Sequence, residues 1–331
     1  MKTLKILSFF SVVFFTCLGL QPVFAQKSMT IKLGYGHSVE HPYHQGGLVF
    51  KDIVEKETNG RIRVELYPGS QLGTESEMTE QVKLGTLTGT ITGRFEEMSI
   101  KLYGSGLPFM FRDLDHVEKM MRSPLGAQFF SYVEEKDLKM LAWTHSGFRQ
   151  ITNGVRVIRK PEDLKGLKLR TPPLDNILRT MQAFGASAVP LPFTEVYTAL
   201  KTGVVDGQEN PYINIWDSKF YEVQKYLTAI NYIYIGSPFC VGLKWWKSLS
   251  AEDQKLIAKA GLACGDRVNS LTKEIDLRCK ESIAKTGRTQ ITELTAKEWA
   301  AFVPRVKPVY DYYSQKGIVT EEFIKKVNAI K

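Results

Sequence analysis

Hydrophobic positions along the chain switch repeatedly between a period of two and a period near 3.6, the marks of alternating strands and helices. Residues 30–35 and 62–67 read as strands, and the helical stripe between them, 45–58, stops at Asn59-Gly60. Thr74 is placed to cap a helix running to Leu84, with Glu77 as its capping-box partner. Residues 88–92 form a short strand, Asp113 and Ser123-Pro124 open two helices, and 139–144 is a strand. A second series follows: strand 167–170, a helix begun by Pro172-Pro173 and running through Phe184, strand 187–191, a helix capped by Thr194, and strand 204–208. Strand-like stretches over 231–243 are interrupted by Gly236-Ser237-Pro238. Residues 251 to about 286 are helical over an unusual length, and a strand near 289–293 and a helix from Thr295 onward finish the chain.

This alternation predicts an α/β protein with open, largely parallel sheets covered by helices on both faces, and two such series predict two lobes. Ligands of such sheets bind beyond the carboxyl ends of the strands. The 331 residues are ample for two domains, and 43% hydrophobic content supplies a sizeable core. No fixed-period repeat, like-charge run or Pro-rich tract suggests disorder.

The N-terminus carries a different pattern. Lys2 and Lys5 precede an apolar run over 6–20, and small residues around Ala25 mark a cleavage position, so 1–25 reads as an export signal. The run is short for a bilayer, which needs about 20 residues, although a retained anchor is the alternative reading. Cys17 lacks the sequence context of a lipid attachment site. Without the signal the chain has 42 basic and 35 acidic residues, a net +7. An exported protein lacking an aromatic-interleaved basic run is not expected to bind nucleic acid; the balance suits small anions. Cys240, Cys264 and Cys279 then remain, and an odd count excludes a complete disulfide framework.

One segment concentrates the chemistry. In Gly166-Leu167-Lys168-Leu169-Arg170-Thr171-Pro172-Pro173 a buried strand ends in an Arg, and Pro172 keeps Thr171 extended. A guanidinium held in this way can grip a carboxylate with two parallel hydrogen bonds. From spacing alone, a solvated Arg at a strand edge is the plainer reading. The next stretch changes that. Phe193-Thr194-Glu195-Val196-Tyr197, then Gly203-Val204-Val205-Asp206-Gly207-Gln208-Glu209-Asn210-Pro211, then Phe220-Tyr221-Glu222-Val223-Gln224 resembles, in order, the periplasmic receptors of tripartite ATP-independent periplasmic (TRAP) transporters, dicarboxylate-binding type. Weaker similarity covers nearly all of 29–331.

The resemblance implies a periplasmic-binding-protein-like fold: two α/β lobes around a hinged cleft, spanned by the long helix. Lobe 1 would hold 29–146 plus 236–274, and lobe 2 147–235 plus 275–331. It implies that Arg170 binds a ligand carboxylate, that Asn210 helps hold it, that Arg149 is a second contact, and that Phe193 packs on the ligand's carbon chain. Arg94 and Glu75 match cleft positions that vary with ligand. Gly93 stands where sialic-acid-binding relatives carry an acid, which argues against sialic acid. Three arginines would favour a dicarboxylate or a sulfonate; Arg94 paired with Glu96 or Glu97 in solvent is the competing reading. The implied partners are a small organic acid and the small and large membrane subunits of a permease, with the receptor a periplasmic monomer.

His37, His41 and His44, with Glu40 between them, have spacing that zinc can use. A polar loop whose turn is set by Pro42 and Gly46-Gly47 is preferred, with His37 lining the cleft, and neither a metal nor a cofactor is expected. No nucleophile elbow, phosphate loop or paired catalytic carboxylates are present, so no enzyme is expected. An exported enzyme using His37 or His41 as a base, or a chemosensory binding subunit, are the rival readings.

Overall fold

The computed structural model describes residues 28–331, so the predicted export signal and Cys17 lie outside the described residues. The strands in chain order are β1 (Met29–Tyr35), β2 (Ile62–Tyr67), β3 (Gly89–Ile91), β4 (Leu138–Phe148), β5 (Gln150–Asn153), β6 (Lys168–Thr171), β7 (Ser187–Pro190), β8 (Gly207–Asn210), β9 (Tyr226–Ala229), β10 (Tyr234–Gly242) and β11 (Gln290–Glu293). They form two sheets, ordered β2-β1-β3-β10-β4 and β11-β9-β5-β8-β6-β7. The first belongs to one lobe and the second to the other. The chain passes between them at the β4–β5 junction, returns between β9 and β10, and crosses again along the helix Ala251–Lys285.

Both sheets are mixed rather than largely parallel. β1 pairs in parallel with β2 and β3, but β10 runs antiparallel to β3 and β4. In the second sheet β5 is antiparallel to both neighbours. These antiparallel strands are the crossing segments: a chain that leaves one sheet and returns must enter each from the opposite end.

Several element boundaries differ from expectation, each for a physical reason. The first helix is Pro42–Glu57, with His41 as its N-cap, so Gly46 and Gly47 sit inside it rather than in a turn. A Cβ at Gly46 would lie 2.4 Å from Val268 Cγ2, so the glycine permits close contact with the long helix. Gly236-Ser237-Pro238 does not interrupt β10, which continues through all three and absorbs the proline between two register shifts. Thr194 does not cap a helix; Phe193–Glu195 is a 3-10 turn leading into Val196–Lys201. The strand expected over 204–208 begins at Gly207, and the helix expected from Pro172 begins at Asp175. β5 and β9 were not anticipated. They are four-residue strands without a useful period, held by their neighbours.

The capping box of Thr74 and Glu77 is present as predicted, and the long helix spans 35 residues. Its buried stripe, including Ile257, Cys264 and Val268, packs against the first helix, which carries Phe50 and Val54, and against β4, while Cys279 and Ile283 enter the second lobe's core. All three described cysteines are free and buried. Burial pushes the Cys279 thiol up to about 12.

Where the long helix passes under helix Tyr212–Asp217, Asp276 Oδ1 accepts a hydrogen bond from the Ile213 amide at 3.2 Å. Burial pushes this carboxyl up to about 7. Its folded value exceeds the unfolded value of about 3.9, so its contribution to stability is full below about pH 4 and is lost as pH rises through about 7. Asp276→Asn keeps an acceptor for Ile213 and removes the charge. Thermal unfolding is expected to show stabilisation at pH 8 exceeding that at pH 5 by roughly 1–3 kcal/mol; equal gains at both would rule out the burial effect.

Candidate functional site

The cleft between the sheets is where strand ends converge. Arg170 lies near the carboxyl end of β6, and Asn210 ends β8. His37 follows β1, Arg94 follows β3 and Arg149 follows β4. Glu75 opens the helix Glu75–Leu84, and Phe193 opens the turn after β7. All seven predicted residues line one cavity, together with Tyr43, Ser146, Asn214 and Ser237. It encloses about 410 Å³, counting the part open to solvent.

Arg170 is 1% exposed. β6 pairs on one side with β7 and on the other with β8, so the backbone that carries the side chain is fixed from both directions. Leu191 O accepts from Nε at 3.0 Å and from Nη2 at 2.7 Å. Among the described residues neither Nη1 nor any carboxylate completes the guanidinium's pairing. Burial without an acid partner pushes the group down to about 9, against the smaller opposing pull of Glu209. It therefore remains charged at neutral pH. The Phe193 ring lies 5.9 Å from its Cζ.

The other two arginines are matched. Arg149 Nε and Nη2 bond the Glu209 carboxylate, and Nη2 also donates to Glu209 O at 2.5 Å. The Tyr232 hydroxyl donates to the same carboxylate at 2.5 Å. Burial opposes the Arg149 charge, but Glu209 more than offsets this and raises it above the ordinary value. Arg94 donates from Nε and Nη2 to Glu97 Oε1 at 3.1 and 2.7 Å, and from Nη1 to Pro173 O at 2.6 Å. It pairs with Glu97 as the competing reading held, but at 8% exposure it is not in solvent. Glu96 turns away to the Tyr103 hydroxyl and the Asp175 amide.

Asn210 stands in a head-to-tail chain of side chains. Asn214 Nδ2 donates to Asn210 Oδ1 at 3.2 Å, Asn210 Nδ2 to Gln208 Oε1 at 2.5 Å, and Gln208 Nε2 to Thr152 Oγ1 at 2.9 Å. Thr152 in turn donates to Gln224 Oε1 at 3.0 Å. The chain orients the amide at the cavity wall. His37 stacks on His41 with ring centroids 4.1 Å apart, and its Nδ1 is 3.7 Å from Asp217 Oδ2. Burial and the neighbouring His37 hold His41 well below the usual imidazole value, so it is neutral. His44 bonds the Tyr35 hydroxyl at 2.6 Å. Among the described residues no group of three His, Cys, Asp or Glu is arranged to hold a metal.

With this geometry, residues 33–316 match the bacterial extracellular solute-binding protein family 7 (DctP). The chain belongs to that family. It is 32% identical over 305 residues to the C4-dicarboxylate-binding periplasmic protein DctP of Rhodobacter capsulatus, covering 91% of each chain. A solved TRAP periplasmic solute-binding protein from Haemophilus influenzae, with bound L-gulonate, is 31% identical at a TM-score of 0.88, covering 92% of this chain and 100% of that one. One from Polaromonas sp. JS666, bound to D-erythronate, is 32% identical at a TM-score of 0.87, covering 92% and 99%.

Sequence reasoning missed the family 7 chain's supporting residues. Glu209 sits inside the quoted motif, but nothing local marks it as the partner of Arg149, 60 positions away. Asp217 and Ser38, which bond across the cleft, are 179 positions apart. The buried Arg149–Glu209 pair predicts an asymmetry. Glu209→Ala leaves a buried cation unpaired and is expected to cost about 3–5 kcal/mol in urea unfolding. The double variant Arg149→Met, Glu209→Leu should lose markedly less, and equal losses would show that the pair is not the source.

Proposed function

We propose that the chain is the exported receptor of a TRAP transporter, capturing a small organic acid with its carboxylate on Arg170 and delivering it to the permease's small and large membrane subunits. One observation carries this: Arg170 is a buried, charged guanidinium with an open edge facing the cavity and no acid of its own. Other buried charges nearby are matched, and burial of an unmatched one costs several kcal/mol. A bound carboxylate supplies the missing partner, with Asn210 and Asn214 as neighbouring donors and Phe193 against its carbon chain.

Capture proceeds by lobe closure. Ser38 donates its amide, at 3.3 Å, and its hydroxyl to Asp217 across the mouth. Arg94 reaches Pro173 O, and Asn176 Nδ2 reaches Gly106 O at 2.5 Å. A ligand touching both lobes favours this closed arrangement because it gains contacts there that the open one lacks. The predicted signal over 1–25 directs export, and the receptor works as a single chain without chemical turnover.

Thermal shift against a panel of organic acids tests the reading. Saturable stabilisation of about 2.7 kcal/mol at a hundredfold excess over Kd is expected, with the acid recovered unchanged. Turnover, or silence across the panel, would overthrow it. Arg170→Lys keeps the charge but loses the planar fork. Calorimetry should show affinity lower by about ten- to a hundredfold, the worth of one charge-assisted hydrogen bond; undiminished affinity would remove Arg170 from the contact.

A further inference from the structure

The cleft holds three arginines, and two of them are paired with acids. Arg149 is matched by Glu209 and Arg94 by Glu97. Glu75 adds a third carboxylate at the wall. A second compartment of about 420 Å³, counting the part open to solvent, adjoins the first and shares Glu75, Arg94, Arg170 and Phe193 with it. A ligand held on Arg170 and longer than the first compartment would reach into this space.

Glu97 is well anchored for its part. Its Oε1 accepts from Arg94 Nε and Nη2 and also from Ser76 Oγ at 2.7 Å. Arg94's remaining nitrogen is turned to Pro173 O of the opposite lobe. The cation nearest the ligand's far end is thus already neutralised and already committed to bridging the lobes. A second ligand carboxylate arriving there meets Glu75 and gains little from Arg94, and like charges placed together at such a site cost several kcal/mol. A hydroxyl arriving there finds an acceptor in Glu75.

Resting on the organic-acid reading above, we infer that Glu97 sets the charge class of the ligand: by occupying Arg94 it leaves Arg170, among the described residues, as the one cleft arginine without an acid, so the cleft selects singly charged hydroxy acids over their dicarboxylate counterparts. Glu97 does not line the cavity; it is a positioning residue that acts through Arg94.

Two matched pairs test this by calorimetry, each keeping one carbon skeleton and exchanging a terminal alcohol for a second carboxylate: D-erythronate against meso-tartrate, and L-gulonate against D-glucarate. The whole chain should bind the monoacid of at least one pair more tightly than its diacid. Glu97→Gln keeps an acceptor for Arg94 and Ser76 and frees the Arg94 charge, and should shift the monoacid-to-diacid affinity ratio toward the diacid by about tenfold or more. The double variant Arg94→Gln, Glu97→Gln should return the ratio toward that of the unaltered protein, which a general loosening of the fold would not do. A diacid preferred by the unaltered protein, succinate bound while all four probes are ignored, or a ratio unmoved by Glu97→Gln would overturn the inference. Silence of the unaltered protein toward every organic acid would instead count against the functional reading beneath it.

Discussion

A guanidinium sealed between two lobes without an acid of its own is the constraint around which the site is arranged. Arg170 is 1% exposed, and among the described residues its guanidinium donates only to the Leu191 carbonyl. Isolated charges in such surroundings are strongly unfavourable, and the β6 backbone that carries the side chain is paired on both sides. The favourable resolution is a partner from outside. In the proposed capture, an anionic ligand supplies that partner.

Glu209 and Glu97 pair with the neighbouring arginines, so among the described residues Arg170 is the cleft arginine without an acid partner. The contacts that close the mouth use neighbouring groups. Arg94 is at once a cavity wall and a bridge to Pro173, and Asp217 draws in the backbone and hydroxyl of Ser38. Burial works against the Asp217 charge, but His37 and Ser38 hold its carboxyl well below the usual range, so it stays ionised. In the proposed capture, recognition and closure therefore share side chains.

The lobes communicate through few strands of chain. At the β4–β5 junction Gly147 adopts a φ of +120°, where a Cβ would press 3.2 Å from Pro211 Cβ. That left-handed conformation suits glycine and lets Arg149, two positions on, enter the second sheet pointing into the cleft. The long helix contributes buried apolar residues to both cores and so ties the two lobes to one element.

The amino-acid sequence by itself determined the alternation of strands and helices, the caps at Thr74 and Asp113 and the long helix, because these depend on local periodicity and capping chemistry, while the seven residues that line the cavity were named largely through the family resemblance. It did not determine the antiparallel crossing strands, the continuity of β10 through Gly236-Ser237-Pro238, or the helical setting of Gly46-Gly47, since each reflects packing against partners far along the chain. It likewise left open which arginine is free. That depends on whether a carboxylate three positions away at Glu97, or 60 away at Glu209, lies within hydrogen-bond reach. Only the tertiary structure decides it, because the charge state of a buried site is a property of distances between side chains, and these exist only once the sheets have brought the strand ends together.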